Sequence, residues 1–255
     1  MNNKFKRFNL SKAIIPNSFT AFNALSGFFS IVFASHGEIQ TAAILIFVAG
    51  IFDAIDGLMA RLVGTSSRFG VELDSLSDIV SFGAAPAFLI YQSYFHDYGW
   101  AGIVLSSSVL IFGAFRLARF NVQVEDLTQK QDFRGLPIPL SAITVALFCY
   151  SFYSVGTITE PHSYFAIPLI ILVSILMISN VKYSKLPSLY TKSVKERILV
   201  LALVILGLAF VYLTGGVALF YIFLSVVLFG IFKHIILMFS KSDEDSEEIN
   251  IKKIN

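Results

Sequence analysis

The sequence predicts an all-α protein: a polytopic membrane helix bundle of about eight transmembrane helices, with both termini in the cytoplasm. Three observations predict it. Of the 255 residues, 56% are Ala, Val, Ile, Leu, Met, Phe, Trp, Tyr or Cys and only 14% are charged, giving a mean hydropathy of +0.75. A soluble domain averages about 45–50% apolar and about 25% charged residues. The apolar residues are also gathered into runs close to the ~20 residues that a helix needs to cross a bilayer. Finally, all 19 Lys and Arg sit at alternate ends of those runs. A soluble globular enzyme, a disordered chain and a disulfide scaffold are thereby excluded. The single Cys149 lies in an apolar run and can staple nothing. A formal charge of +2 gives no reason to expect nucleic acid.

Taken in order, the runs cover residues 14–34, 40–61, 73–94, 100–120, 137–155, 164–181, 197–214 and 217–239. The segment 1–12 carries Lys4, Lys6, Arg7 and Lys12 and is expected in the cytoplasm; no apolar signal-peptide run precedes the first span, so no removal is expected. The connections Ser35–Ile39, Phe95–Gly99, Gly156–Ser163 and Thr214–Gly216 hold no Lys or Arg. The basic residues lie instead at Arg61/Arg68, Arg116–Arg134, Lys182–Arg197 and Lys233–Lys253. Positively charged flanks resist translocation, so these ends face the cytoplasm and an even number of spans follows. Residues 13–240 then form one integral membrane domain, and 241–255 a charged, solvated, mobile cytoplasmic tail. Trp100 reads as an interfacial anchor. His36, His96, His162 and His234 lie near span ends without clustering, which suits interface or hydrogen-bonding roles better than metal binding.

Four carboxylates stand out against this background. Asp53 and Asp56 lie three apart near the end of the second span, and Asp74 and Asp78 lie four apart at the start of the third. At 3.6 residues per turn each pair shares one helix face. The short link Leu62–Phe69 is expected to fold the spans into an antiparallel hairpin, so that the pairs face one another near the cytoplasmic surface. An ionised Asp at membrane depth costs on the order of 2.5–3.5 kcal/mol. Pairing with Arg61, Arg68 or Arg116, or reaching to water, is the alternative, but one guanidinium cannot balance four carboxylates. Hard divalent cations take carboxylate oxygens and can. Mg²⁺ or Mn²⁺ is expected, as two ions bridged by Asp53 and Asp74 with Asp56 and Asp78 completing the shells. Zn²⁺ is disfavoured, because no Cys or His lies nearby. Gly57 and Gly70 lack a Cβ and let a bulky ligand approach the backbone.

The pattern Asp-x-x-Asp-Gly-x-x-Ala-Arg-x₈-Gly-x-x-x-Asp-x-x-x-Asp, carried by Asp53, Asp56, Gly57, Ala60, Arg61, Gly70, Asp74 and Asp78, resembles the signature of the CDP-alcohol phosphatidyltransferase family at every fixed position. That resemblance implies metal-ligand roles for Asp53, Asp56 and Asp74. It implies for Asp78 both a metal-ligand role and that of general base. It also implies contacts to the CDP part of a lipid substrate from Gly57, Arg61 and Ser67, and from Asn17 and Thr20 in the segment Pro16–Thr20. The family resemblance further suggests a homodimer in the cell membrane with its active site facing the cytoplasm.

The motif implies CDP-diacylglycerol as donor but leaves the acceptor open. Ser81–Pro86, Arg116-Leu-Ala-Arg119-Phe-Asn121 and Phe133-Arg134-Gly-Leu-Pro137-Ile-Pro139 are similar to the integral-membrane phosphatidylserine synthases of that family, over roughly residues 14–190. Met177–Tyr183 continues the likeness more loosely. L-Serine brings a carboxylate, which an arginine fork binds with two parallel bonds; Arg116, Arg119 and Arg134 are the candidates. Arginine also suits phosphate, so glycerol 3-phosphate stays open, as does inositol. An Asp-rich intramembrane prenyltransferase is a rival, although its two acidic motifs would lie on well-separated helices, whereas here all four Asp fall within 26 residues. A cation transporter is the non-enzymatic rival. The phospholipase-D-like phosphatidylserine synthases need paired His-x-Lys motifs, and no His here is followed two residues later by Lys.

Overall fold

The computed structural model describes residues 10–63, 68–125, 135–181, 183, 214 and 216–254. Helix α1 (Leu10–Ser35) opens the chain. It ends where Gly37 takes φ +81°, a left-handed turn in which the Glu38 N–H donates to the Phe33 carbonyl at 3.0 Å. That bond satisfies one of the carbonyls a helix leaves unpaired at its end. Helix α2 (Ile39–Val63) returns along α1, and the two form the most extensive helix pair among the described elements. Ser30 Oγ donates across this interface to the Ala42 carbonyl at 2.8 Å.

The third span is continuous from Arg68 to Ser93 but not uniform. Helix α3 (Arg68–Asp78) passes into a π-helical turn at Ile79–Ala84 and then into α4 (Ala85–Ser93). Pro86 brings no N–H and its ring crowds the preceding turn. The widened turn absorbs it: the Ala85 N–H bonds five residues back, to the Val80 carbonyl. Such turns inside α-helices recur at functional sites.

A short 3₁₀ turn at Phe95–Tyr98 leads into α5 (Gly99–Glu125). Helix α6 (Ile138–Phe152) is buried on nearly every side, from Ile138 and Ala142 through Val145, Leu147 and Cys149. It packs against α2, α4 and later helices and is the centre of the bundle. An all-round apolar helix of this kind belongs in a core. After it, two-residue strands β1 (Tyr153–Ser154) and β2 (Thr157–Ile158) pair antiparallel around Val155 and Gly156, both at positive φ. Then come α7 (Ala166–Ile178), preceded by a 3₁₀ turn at His162–Phe165, and α8 (Val217–Ile254).

The polytopic helical architecture is as expected, with that small hairpin as the departure from all-α. Five helices among the described residues are long and apolar enough to cross a membrane: Ile14–Ser35, Ile39–Met59, Arg68–Ser93, Phe95–Val122 and Val217–Ile236. The expected fifth and sixth spans are the shorter apolar helices Ile138–Phe152 and His162–Ile178. The expected seventh span, 197–214, lies outside the described residues except for Thr214. The segment 241–255, expected to be mobile, continues α8 as helix to Ile254. Extending a formed helix avoids the cost of nucleating one, and no Gly or Pro interrupts the run from 241.

Candidate active site

The sequence folds into two facing acidic helix ends. Asp53 and Asp56 project from the last turns of α2, and Asp74 and Asp78 from α3. The expected hairpin differs in one respect: α2 and α3 do not run packed side by side, and α1 touches both α2 and α3. Space is therefore left between the helices, and carboxylates fill it. Asp53, Asp56 and Asp74 each offer an oxygen, and those oxygens all lie within 4.8 Å of one another. Asp56 is 5% exposed, and its Oδ2, like Oδ1 of Asp74, is buried with no hydrogen-bond partner among the described residues. Buried carboxylate oxygens without donors are costly unless a cation meets them. The donor set, all hard oxygen, fits Mg²⁺ or Mn²⁺.

Asp78 stands outside that group of three. Its Oδ1 accepts a hydrogen bond from Nδ2 of Asn23 at 3.2 Å, and it sits at the junction of α3 with the π turn. It remains within charge-interaction range of Asp53, Asp74 and Asp56. Sequence reasoning passed over Asn23, although a signal was present. Asn17, Thr20 and Asn23 are spaced by three, which puts all three on one face of α1. Along that face Asn17 is half-buried, Thr20 is buried with its side chain on the Asp56 carboxylate, and Asn23 reaches Asp78. Thr20 Oγ1 also lies 3.1 Å from the Pro16 carbonyl, so its one proton serves one acceptor at a time.

Gly57 is exposed, and a Cβ built on it would meet nothing within 4 Å; its backbone N–H bonds the Asp56 carboxylate. The helix surface there is open to a ligand. Gly70 is half-buried in the first turn of α3. Arg61 belongs to the last turn of α2, and Ser67 and Arg134 lie outside the described residues.

The other two arginines have separate environments. Arg116 is half-buried within charge range of Asp78, and its Nε is buried with no partner among the described residues. Arg119 is committed: Nη1 donates to the Ile178 carbonyl at 3.1 Å and Nη2 to Asn180 Oδ1 at 3.2 Å. The end of α7 gathers further bonds. The Leu136 N–H donates to the Leu176 carbonyl and the Gly135 N–H to the Val181 carbonyl, both at 2.9 Å. Gly135 has φ +86°, and a Cβ there would strike the Met177 carbonyl. The three stretches around Arg119, Gly135 and Asn180 thus meet at one helix end, whose otherwise unpaired carbonyls they satisfy. Asn121, at the same end of α5, donates to Ser75 Oγ on α3 at 3.1 Å.

Comparison with known proteins places this geometry. Residues 13–181 match the family model described as CDP-alcohol phosphatidyltransferase. The chain is 34% identical over 198 residues to a CDP-diacylglycerol–serine O-phosphatidyltransferase of Helicobacter pylori, covering 78% of this chain and 82% of that protein. It is 38% identical over 173 residues to an archaetidylserine synthase of Methanothermobacter thermautotrophicus, covering 67% and 70%. Among solved structures, it resembles a Mycobacterium tuberculosis phosphatidylinositol phosphate synthase with CDP-DAG bound. The TM-score is 0.51 and the identity 21%, over 64% of this chain and 81% of that one, a likeness of fold.

Proposed function

The chain belongs to the CDP-alcohol phosphatidyltransferase family, and from that premise we propose that it moves the phosphatidyl group of CDP-diacylglycerol onto the hydroxyl of L-serine, releasing CMP. The observation that carries this reading is the convergence of Asp53, Asp56 and Asp74 beside a separately held Asp78. The serine-synthase names of the relatives support the acceptor.

Asp53, Asp56 and Asp74 would hold the divalent cations, Mg²⁺ or Mn²⁺ as a pair, with Asp78 at the margin of their shell. Such ions neutralise a diphosphate and stabilise the charge that develops on the departing CMP. The open surface at Gly57 receives the CDP headgroup, with Asn17, Thr20 and Gly70 as further contacts and Arg61 and Ser67 assigned to it by their place in the family motif, while the apolar helices let the acyl chains enter from the bilayer. Asp78 accepts the proton of the serine hydroxyl as its oxygen attacks phosphorus. Arg116, whose Nε has no partner among the described residues and which lies within charge range of Asp78, binds the serine carboxylate. Arg134 is a second candidate, and Arg119 holds α5 to the end of α7. The positive-inside pattern supports a cytoplasmic active site, where serine is supplied, in an eight-span domain at 13–240 in the cell membrane; the family resemblance suggests that two copies pair as a homodimer.

The test is direct. Purified protein given CDP-diacylglycerol with serine, glycerol 3-phosphate or inositol should form phosphatidylserine and CMP with serine alone. A different lipid product moves the acceptor, and release of inorganic diphosphate in place of CMP removes the reading.

A further inference from the structure

Asn23 has no part in the metal and substrate contacts above, yet it is 0% exposed in a membrane helix and faces the carboxylates. Its Nδ2 donates to Asp78 Oδ1 at 3.2 Å, and its backbone carbonyl accepts from Ser81 Oγ at 2.8 Å. Ser81 lies in the π turn, three residues past Asp78. One turn along α1, Gly27 meets the same residue: a Cβ there would stand 2.5 Å from the Cα of Ser81. Two hydrogen bonds and one close backbone approach therefore fix the register of α1 against this part of the third span. A slip of one residue would swing Asn23 about 100° off Asp78.

The amide is only half used. Asn23 Oδ1 is buried without a partner among the described residues, and leaving a buried acceptor unpaired carries a desolvation cost. An apolar residue of similar size would avoid that cost. The side-chain bond that Asn23 does make is the one to Asp78. A carboxylate turns easily about its last torsion, and a donor on one oxygen sets the direction of the other.

We propose that Asn23 is a positioning residue for Asp78, holding Oδ1 so that Oδ2 meets the acceptor hydroxyl. Oδ2 takes the hydroxyl proton while the new O–P bond forms, and the bond from phosphorus to the CMP oxygen breaks with its electron pair leaving on CMP. The role rests on the reading of Asp78 as the base.

The experiment compares wild type, Asn23→Leu, Asp78→Asn and the double variant, as full chains in lipid vesicles, with Asn23→Ala standing in if the leucine variant does not fold. Asn23→Leu should lower kcat about 10–100-fold. KM for CDP-diacylglycerol and for serine should stay within about twofold, as should the Mn²⁺ concentration for half-maximal CDP-lipid binding; these are readouts that a merely loosened helix would move. In the Asp78→Asn background the same substitution should add less than about twofold, since residues that act as one unit are not additive. A wild-type kcat, an effect confined to lipid KM or metal requirement, or factors that multiply in the double variant would each overturn the role. If Asp78→Asn itself turns over like wild type, the base reading falls and the positioning role with it. A slow Asp78→Asn beside a normal Asn23→Leu overturns the positioning role alone.

Discussion

Arg119 and Asn180, 61 residues apart, are joined by a hydrogen bond of 3.2 Å from Nη2 to Oδ1, while Nη1 of the same guanidinium caps the Ile178 carbonyl. A planar fork can reach both acceptors, and a lysine ammonium cannot reproduce that geometry. Arg119→Lys should therefore lower stability by roughly 1–2 kcal/mol, seen as a reduced Tm in detergent, with KM for serine little changed. A large rise in serine KM at unchanged Tm would return Arg119 to the acceptor site.

Arg116→Lys should behave in the opposite way. The charge is kept but the fork is lost, so KM for serine is expected to rise about tenfold or more, with KM for CDP-diacylglycerol within about twofold. Steady-state kinetics with each substrate varied in turn check this. A change in the lipid KM alone would move Arg116 to the phosphate.

The carboxylates should separate into two classes. Asp53→Ala and Asp74→Ala each remove an oxygen from the cluster that spans 4.8 Å, and both should abolish metal-dependent CDP-lipid binding. Asp78→Asn should keep most of that binding and lose turnover by about 10²-fold or more. Exhaustive EDTA should stop wild-type activity, and Mn²⁺ or Mg²⁺ should restore it. Equal loss of binding in all three variants would erase the distinction.

Two glycines should respond differently to the same added methyl group. Gly27→Ala puts a Cβ 2.5 Å from the Ser81 Cα, so α1 must move; a lower Tm and a lower kcat are expected together. At Gly57 a Cβ meets nothing within 4 Å of the protein, so Gly57→Ala should keep its Tm and lose affinity for the CDP-lipid. Unchanged lipid affinity would mean that the headgroup does not approach that surface.

Transfer should pass through a ternary complex. No Cys or His lies in the carboxylate cluster to carry a covalent phosphatidyl group. Labelled CMP should not exchange into CDP-diacylglycerol without serine, and rapid exchange would indicate a two-step route.

The carboxylates were legible in the sequence because their spacing and their cost in a membrane are both local facts. The 3.6-residue phase puts Asp53 and Asp56 on one face of α2, and the packing of the helices then brings Asp74 to them. Asn23 was missed because its meaning depends on the register of α1 against Ser81, which no single helix encodes. The different surroundings of the arginines were hidden for a similar reason: Arg116 and Arg119 look alike in composition, and only the position of α7 gives Arg119 a backbone carbonyl and a side-chain oxygen as partners. The π turn follows from Pro86, whose effect on a helix is a local rule; its placement directly after Asp78 became visible only in three dimensions.

The bonds at the end of α7 also impose an order in time. The α1 contacts to the acidic centre, from Thr20 and Asn23 to Ser81, all lie before residue 85 and can form once three spans have left the ribosome. Gly135, Leu136 and Arg119 gain their partners only when residues 176–181 arrive. Because chains are made from the N-terminus and fold in parts, the growing protein passes through a stage with its acidic centre built and its arginine side unanchored. Truncation before residue 176 would freeze it there.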